Sequence, residues 1–151
     1  MKRDIKIFGS YLICLLAISI LAGCVNQAPK EIVFQEIENG YYSGLIEKNN
    51  YIINNESEWQ SFWNKFNKNN LETQAISIDF TKYTVIAVAM GEKNTGGYSI
   101  KIKKVLEYSD KVEVIIEEKP PSKEDMVTMA LTQPYDIVYI PKTSKSILFR
   151  N

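Results

Sequence analysis

The chain has 151 residues, 45% of them hydrophobic, and 18 basic against 18 acidic side chains, which is the size and balance of one globular domain with a short appendage. Zero net charge argues against a dedicated nucleic-acid binder. No histidine occurs, which removes the Ser-His-Asp and Cys-His nucleophile arrangements, His-ligated zinc and the commonest general base; both cysteines, Cys14 and Cys24, lie near the N-terminus, so the rest of the chain can form no disulfide or thiolate metal site.

Lys2, Arg3 and Lys6 precede an uncharged run over residues 7–22 that ends in Leu21-Ala22-Gly23-Cys24, the pattern of a secretory signal peptide. At about 16 residues the run falls short of the roughly 20 that span a bilayer as a permanent helix. A small pair directly before cysteine resembles the bacterial lipobox, which implies cleavage between Gly23 and Cys24 and a lipid on Cys24 as the membrane anchor. An uncleaved transmembrane anchor with an incidental cysteine is the alternative. Both readings place the domain on the extracytoplasmic face of the cell membrane. Residues 1–23 are thus expected to be signal peptide, 24–33 a tether of spacer composition, and 34–151 a single β-rich domain.

Residues 42–47 and 51–53 suggest a short hairpin around Lys48-Asn49-Asn50. Asn54-Asn55-Glu56-Ser57 offers helix caps, and Ser57 followed by Gln60 fits a capping box, after which Trp59, Phe62, Trp63 and Phe66 recur at helical spacing. Such a stripe covers a sheet or offers a sugar-stacking platform; Asn67-Lys68-Asn69-Asn70 ends the helix. Residues 83–90 are apolar on both parities, which predicts a central strand covered on both faces. In the next strand Ile100 and Ile102 alternate with lysines, and adjacent Lys103 and Lys104 break the phase, which predicts a bulge. A turn at 108–111 leads to alternating Val112, Val114 and Ile116, stopped by Pro120-Pro121. Residues 126–131 fit a strand or a helix and are read as a strand, 135–140 as a clear apolar strand and 147–149 as the last. The expected fold is mainly β (α+β): an antiparallel sheet or sandwich with one amphipathic helix packed on it.

Catalysis would have to use Asp, Glu, Lys, Ser, Thr or Tyr. Ser-x-x-Lys, GxSxG and GxxxxGK[ST] are all missing from the sequence. Paired carboxylates could be drawn from Asp79, Glu92, Glu117, Glu118 or Asp136, and Glu124-Asp125 lacks calcium-loop spacing. The expectation is a non-enzyme with no catalytic residue, no metal and no cofactor.

The segment Gly91-Glu92-Lys93-Asn94-Thr95-Gly96-Gly97-Tyr98 joins two strong strands by more than a hairpin needs. Its glycines permit close backbone approach, and an aromatic beside small polar residues suits a binding loop; the same residues could equally solve a turn. Asn94, Thr95, Gly96, Gly97 and Tyr98 are therefore the candidate partner-binding residues. Residues 84–88, the run from Met90 to Ile100, Pro120-Pro121 and Gln133-Pro134-Tyr135-Asp136-Ile137-Val138 together resemble the C-terminal domain of PrcB-like proteins, over 84–142. That resemblance implies a lipid-anchored exported domain that stabilises or docks a protein partner such as a separate protease. A weaker similarity, of 94–98 to the Thr-Gly-Tyr loop of chagasin-type protease inhibitors, lacks that family's proline and Arg-Pro-Trp element. A small-ligand reading would need a pocket at Tyr41, Tyr42 or exposed tryptophans.

Overall fold

The computed structural model describes residues 28–67 and 74–151. The expected signal segment 1–23, the expected cleavage junction at Gly23–Cys24 and the lipidation candidate Cys24 lie outside the described residues, as do residues 68–70 of the expected helix end. The described elements are β1 (Lys30–Ile32), β2 (Gln35–Gly40), β3 (Asn49–Ile53), α1 (Glu56–Phe66), β4 (Tyr83–Ala89), β5 (Ser99–Glu107), β6 (Lys111–Lys119), β7 (Tyr135–Pro141) and β8 (Ser146–Arg150). They form two four-stranded sheets, β1-β5-β6-β8 and β2-β7-β4-β3. Every strand pair is antiparallel except β6 with β8. The fold is mainly β with one helix, as expected.

The two parities of β4 explain the layering. Val85, Ala87 and Ala89 pack with Trp59, Phe62, Trp63 and Phe66 of α1. Ile86, Val88 and Met90 pack with Ile100, Val105, Val112 and Val114 of the other sheet. The order is therefore helix, sheet, sheet, and β4 lies between β7 and β3 with both faces covered, each fully buried Val or Ile contributing roughly 1.5–3 kcal/mol. The aromatic stripe is core and not a sugar platform: Trp59 is 0% and Trp63 5% exposed. The Trp59 indole N–H donates to the Ile76 carbonyl at 3.0 Å, and the Phe66 ring meets Tyr135 edge-on at 4.7 Å.

Several local expectations are corrected. Of the cap candidates at 54–57 the N-cap is Asn55, and the Ser57–Gln60 capping box does not form: the Asn55 side chain accepts the Glu58 N–H at 2.9 Å while the Glu58 carboxylate accepts the Asn54 N–H at 2.8 Å. Asparagine caps as well as serine, and this reciprocal pair satisfies two open donors. The hairpin does not form. β3 pairs with β4, while residues 42–47 form no strand: Leu45 is buried with the helix aromatics, and Gly44 donates to the Phe66 carbonyl at 2.7 Å, filling one acceptor that a helix end leaves open. Residues 126–131 are irregular instead of a strand; prolines flank the segment, and Thr128 within it and Thr132 beside it bond to the 91–98 crossover and not to a sheet strand. The stretch read as tether, 24–33, contains β1, whose register with β5 is continuous from Lys30 to Ile32. β2, rich in glutamate, was not anticipated; it is an edge strand with a register shift between Glu36 and Glu38. The β5 irregularity falls between Ile102 and Lys104, where the lysine pair predicts it.

Candidate partner-binding face

β4 and β5 lie in different sheets, so residues 91–98 are a crossover and not a hairpin, which accounts for their length. The crossover sits between two other connections at the same end of the molecule, 41–48 and 120–134. Lys93 and Thr132 exchange main-chain hydrogen bonds at 2.8 and 2.9 Å, Gly96 donates to the Thr128 carbonyl at 2.9 Å, and Glu92 donates to the Ile46 carbonyl at 2.9 Å. The Thr132 hydroxyl donates to the Thr95 carbonyl at 2.8 Å, and Gln133 N–H donates to the Tyr41 carbonyl at 2.7 Å. Three irregular segments are thereby braced into one surface.

Two glycines are required by this packing. Gly91 has φ of 73° and Gly97 of 85°, the left-handed region that side chains resist. A Cβ on Gly91 would stand 2.7 Å from the Lys48 nitrogen, and one on Gly97 would stand 2.7 Å from Pro121 Cβ and 2.9 Å from Val127 Cγ1. The turn-geometry reading of these residues is therefore realised, whatever else the loop contacts. Of the five candidates, Asn94 and Gly97 are exposed, Thr95 and Tyr98 half-buried and Gly96 buried. Tyr98 packs against the inter-sheet core, with the Lys93 ammonium 5.6 Å over its ring.

A groove of about 270 Å³ is lined by Tyr41 and Tyr42 together with Gly96, Gly97, Ser99, Thr128 and Thr132. Around it the same connections expose Tyr42 (69%), Ile46 (61%), Met126 (102%), Met129 (88%) and Leu131 (54%). Of these side chains only Tyr42 is singled out in the sequence, for a small-ligand pocket; the signal of Met126, Met129 and Leu131 was an apolar run between two proline stations, which periodicity alone assigns to a strand.

The carboxylates considered for acid–base work are each engaged elsewhere. Asp79, held by the Thr81 hydroxyl and Lys82, is lowered to about 2. Glu92 accepts from Gln133 at 2.9 Å, Glu117 is lowered first by a hydrogen bond from Lys119, and Glu118 pairs with Lys48 at 2.7 Å. Asp136 is buried between the sheets. Asp125 accepts the Ser122 N–H at 2.7 Å in a polar turn. Among the described residues no three acidic or cysteine side chains gather as a metal cradle.

Residues 84–141 match the family model described as PrcB C-terminal. This stretch of the chain is PrcB-like. The PrcB-like stretch holds β4, β5, β6 and β7, which are the inner strands of both sheets, and the 91–98 and 120–134 connections. The four edge strands and α1 come from outside it. A search of curated proteins found no match to the chain, and a search of solved structures found none either.

Proposed function

We propose that the chain is a non-catalytic, lipid-anchored extracytoplasmic lipoprotein whose folded domain docks a protein partner, with a protease complex as the setting that the PrcB-like stretch suggests. The observation that carries the docking reading is the exposure of Tyr42, Met126, Met129 and Leu131 on connections braced by main-chain hydrogen bonds. Aromatic and methionine side chains are enriched at interfaces, methionine adapts to irregular partners, and braced loops lose little entropy on binding. The anchor rests on Leu21-Ala22-Gly23-Cys24 and the uncharged run before it. A small-ligand role at Tyr41 and Tyr42 is served less well, since the groove they line is about 270 Å³, under the roughly 300–1,000 Å³ of typical ligand sites, and the tryptophans are buried.

The test is cross-linking and affinity purification of the full chain from membranes of its native cells, comparing wild type with a Met126→Asp/Met129→Asp variant. Docking through this face predicts loss of the partner by about tenfold or more, equivalent to about 1.4 kcal/mol, with unchanged thermal stability. Equal recovery of the same partners overturns it. For the anchor, Cys24→Ser is expected to abolish acyl labelling and membrane fractionation; unaltered labelling removes that part of the reading.

A further inference from the structure

Beside α1, β3 is an open sheet edge among the described residues: its register with β4 runs unbroken from Asn49 to Ile53, and no described strand follows it in the sheet order. Natural proteins blunt such edges with brevity, bulges or charge. The other three edges here carry those devices. β1 has three residues, β2 has a register shift and two glutamates, and β8 is bracketed by Lys145 and Arg150. β3, with sequence Asn-Asn-Tyr-Ile-Ile, has none.

The direction of its free groups can be read off. Asn50 N–H is held by the Asn49 side chain at 2.9 Å, so it points away from β4, and the two-residue period of a strand aims the N–H and C=O of Ile52 the same way. Beside this row lies a groove of about 540 Å³ between β3 and α1, lined by Tyr51, Phe62, Ser57, Ser61 and Lys65 among others. Lys65 is exposed and has no ion-pair partner among the described residues. At the other end, Glu58 is engaged with the Asn54 N–H.

We infer that the β3–α1 groove takes an extended polypeptide strand that pairs with the Ile52 main chain, lays an apolar side chain against Tyr51 and Phe62, and presents an acidic side chain or terminal carboxylate to Lys65. Strand addition of this kind draws affinity from the main chain and specificity from alternate side-chain pockets. At Asn50 an occupant's main-chain carbonyl would displace only the Asn49 carboxamide oxygen, which accepts the Asn50 N–H between adjacent residues at the surface. The site is separate from the loop face, so each can fail without the other.

The experiment selects a random-peptide display library on the immobilised full chain and titrates the most enriched synthetic peptide by fluorescence anisotropy. Enriched sequences are expected to alternate apolar residues and to carry an acidic one. Ser61→Trp, which fills the groove from the exposed face of α1, and Ile52→Pro, which deletes the outward N–H, should each weaken binding by about tenfold or more, or about 1.4 kcal/mol. Lys65→Glu should weaken it and abolish its salt dependence, while Met126→Asp should leave it unchanged. Ser61→Trp keeps the test valid if Ile52→Pro fails to fold. No enrichment, or peptides that bind Ser61→Trp and Lys65→Glu as they bind wild type, overturns the inference. So does a concentration-dependent dimer that Ser61→Trp abolishes and no peptide disrupts, which would make the occupant a second copy of the chain.

Discussion

The Asp136 carboxylate on β7 accepts the main-chain N–H of Ile102 on β5 at 2.8 Å, a hydrogen bond from one sheet to the other through the buried middle of the sandwich. The bulge beside Ile102 is the place where β5 can spare that donor from its own ladder. The second Asp136 oxygen has no hydrogen-bond partner and lies 3.6 Å from the Lys101 ammonium, which is itself 2.6 Å from Glu36.

Removing this acceptor should be costly. Asp136→Ala leaves the Ile102 N–H buried and unpaired, an expected loss of about 1–3 kcal/mol, measured by urea unfolding at neutral pH. Asp136→Asn, which keeps an acceptor oxygen, should lose less. Equal stability of wild type and Asp136→Ala would show that the inter-sheet bond contributes nothing.

The pH dependence has a definite sign. Burial raises the Asp136 carboxyl above its ordinary value, opposed by the Ile102 N–H and by Lys101, with Glu36 adding to the rise. A raised native value means that the neutral form is favoured by folding. The group's contribution is full below the ordinary carboxylate range of about 4 and is lost as pH rises through the raised value. The stability of wild type minus that of Asp136→Asn should therefore fall from pH 4 upward. Glu36, lowered first by its hydrogen bond from Lys101, acts in the opposite sense, and its contribution is lost on acidification. A difference that grows with pH would contradict the assignment to Asp136.

Helix capping separates Asn55 from Ser57. Asn55→Ala should cost about 1 kcal/mol, and Ser57→Ala, exposed within the first turn, should stay within about 0.5 kcal/mol. Denaturant midpoints at constant slope decide between them, and a larger loss at Ser57 would restore the cap to that residue.

Gly91 and Gly97 should differ as well. An alanine Cβ at 91 would meet main-chain atoms of Ile46 and Lys48, whereas at 97 it would meet the side chains of Pro121 and Val127. Both pay the left-handed cost of roughly 1–2 kcal/mol, and Gly91→Ala should lose more because backbone cannot step aside. Thermal unfolding of the two variants checks the order.

Much of this architecture was legible because burial imposes periodicity. β4 announces its double coverage by being apolar at every position, and Trp59, Phe62, Trp63 and Phe66 announce the covering helix. What was illegible depends on choices made at a distance. β2 is edge-paired and glutamate-rich, so neither its composition nor its phase marks it. The 126–131 run has strand composition, yet it bonds to the 91–98 crossover and joins neither sheet, and its methionines end at the surface. The crossover at 91–98 looks like a hairpin loop because nothing local tells which sheet the next strand joins. For the same reason the loop's glycines were visible, while the neighbours that demand them, Lys48 and Pro121, were not. The exposed Tyr42, Met126 and Met129 became a face only once three segments far apart in sequence were braced together.

That the PrcB-like stretch supplies only inner strands carries a consequence for anyone dissecting the molecule. A fragment cut to residues 84–141 would bare both flanks of each sheet and strip the aromatic roof from Val85, Ala87 and Ile137, leaving sticky β-ribbons that self-associate. The kernel that defines the kinship cannot live by itself, and its solubility is on loan from the borders that the kinship does not cover.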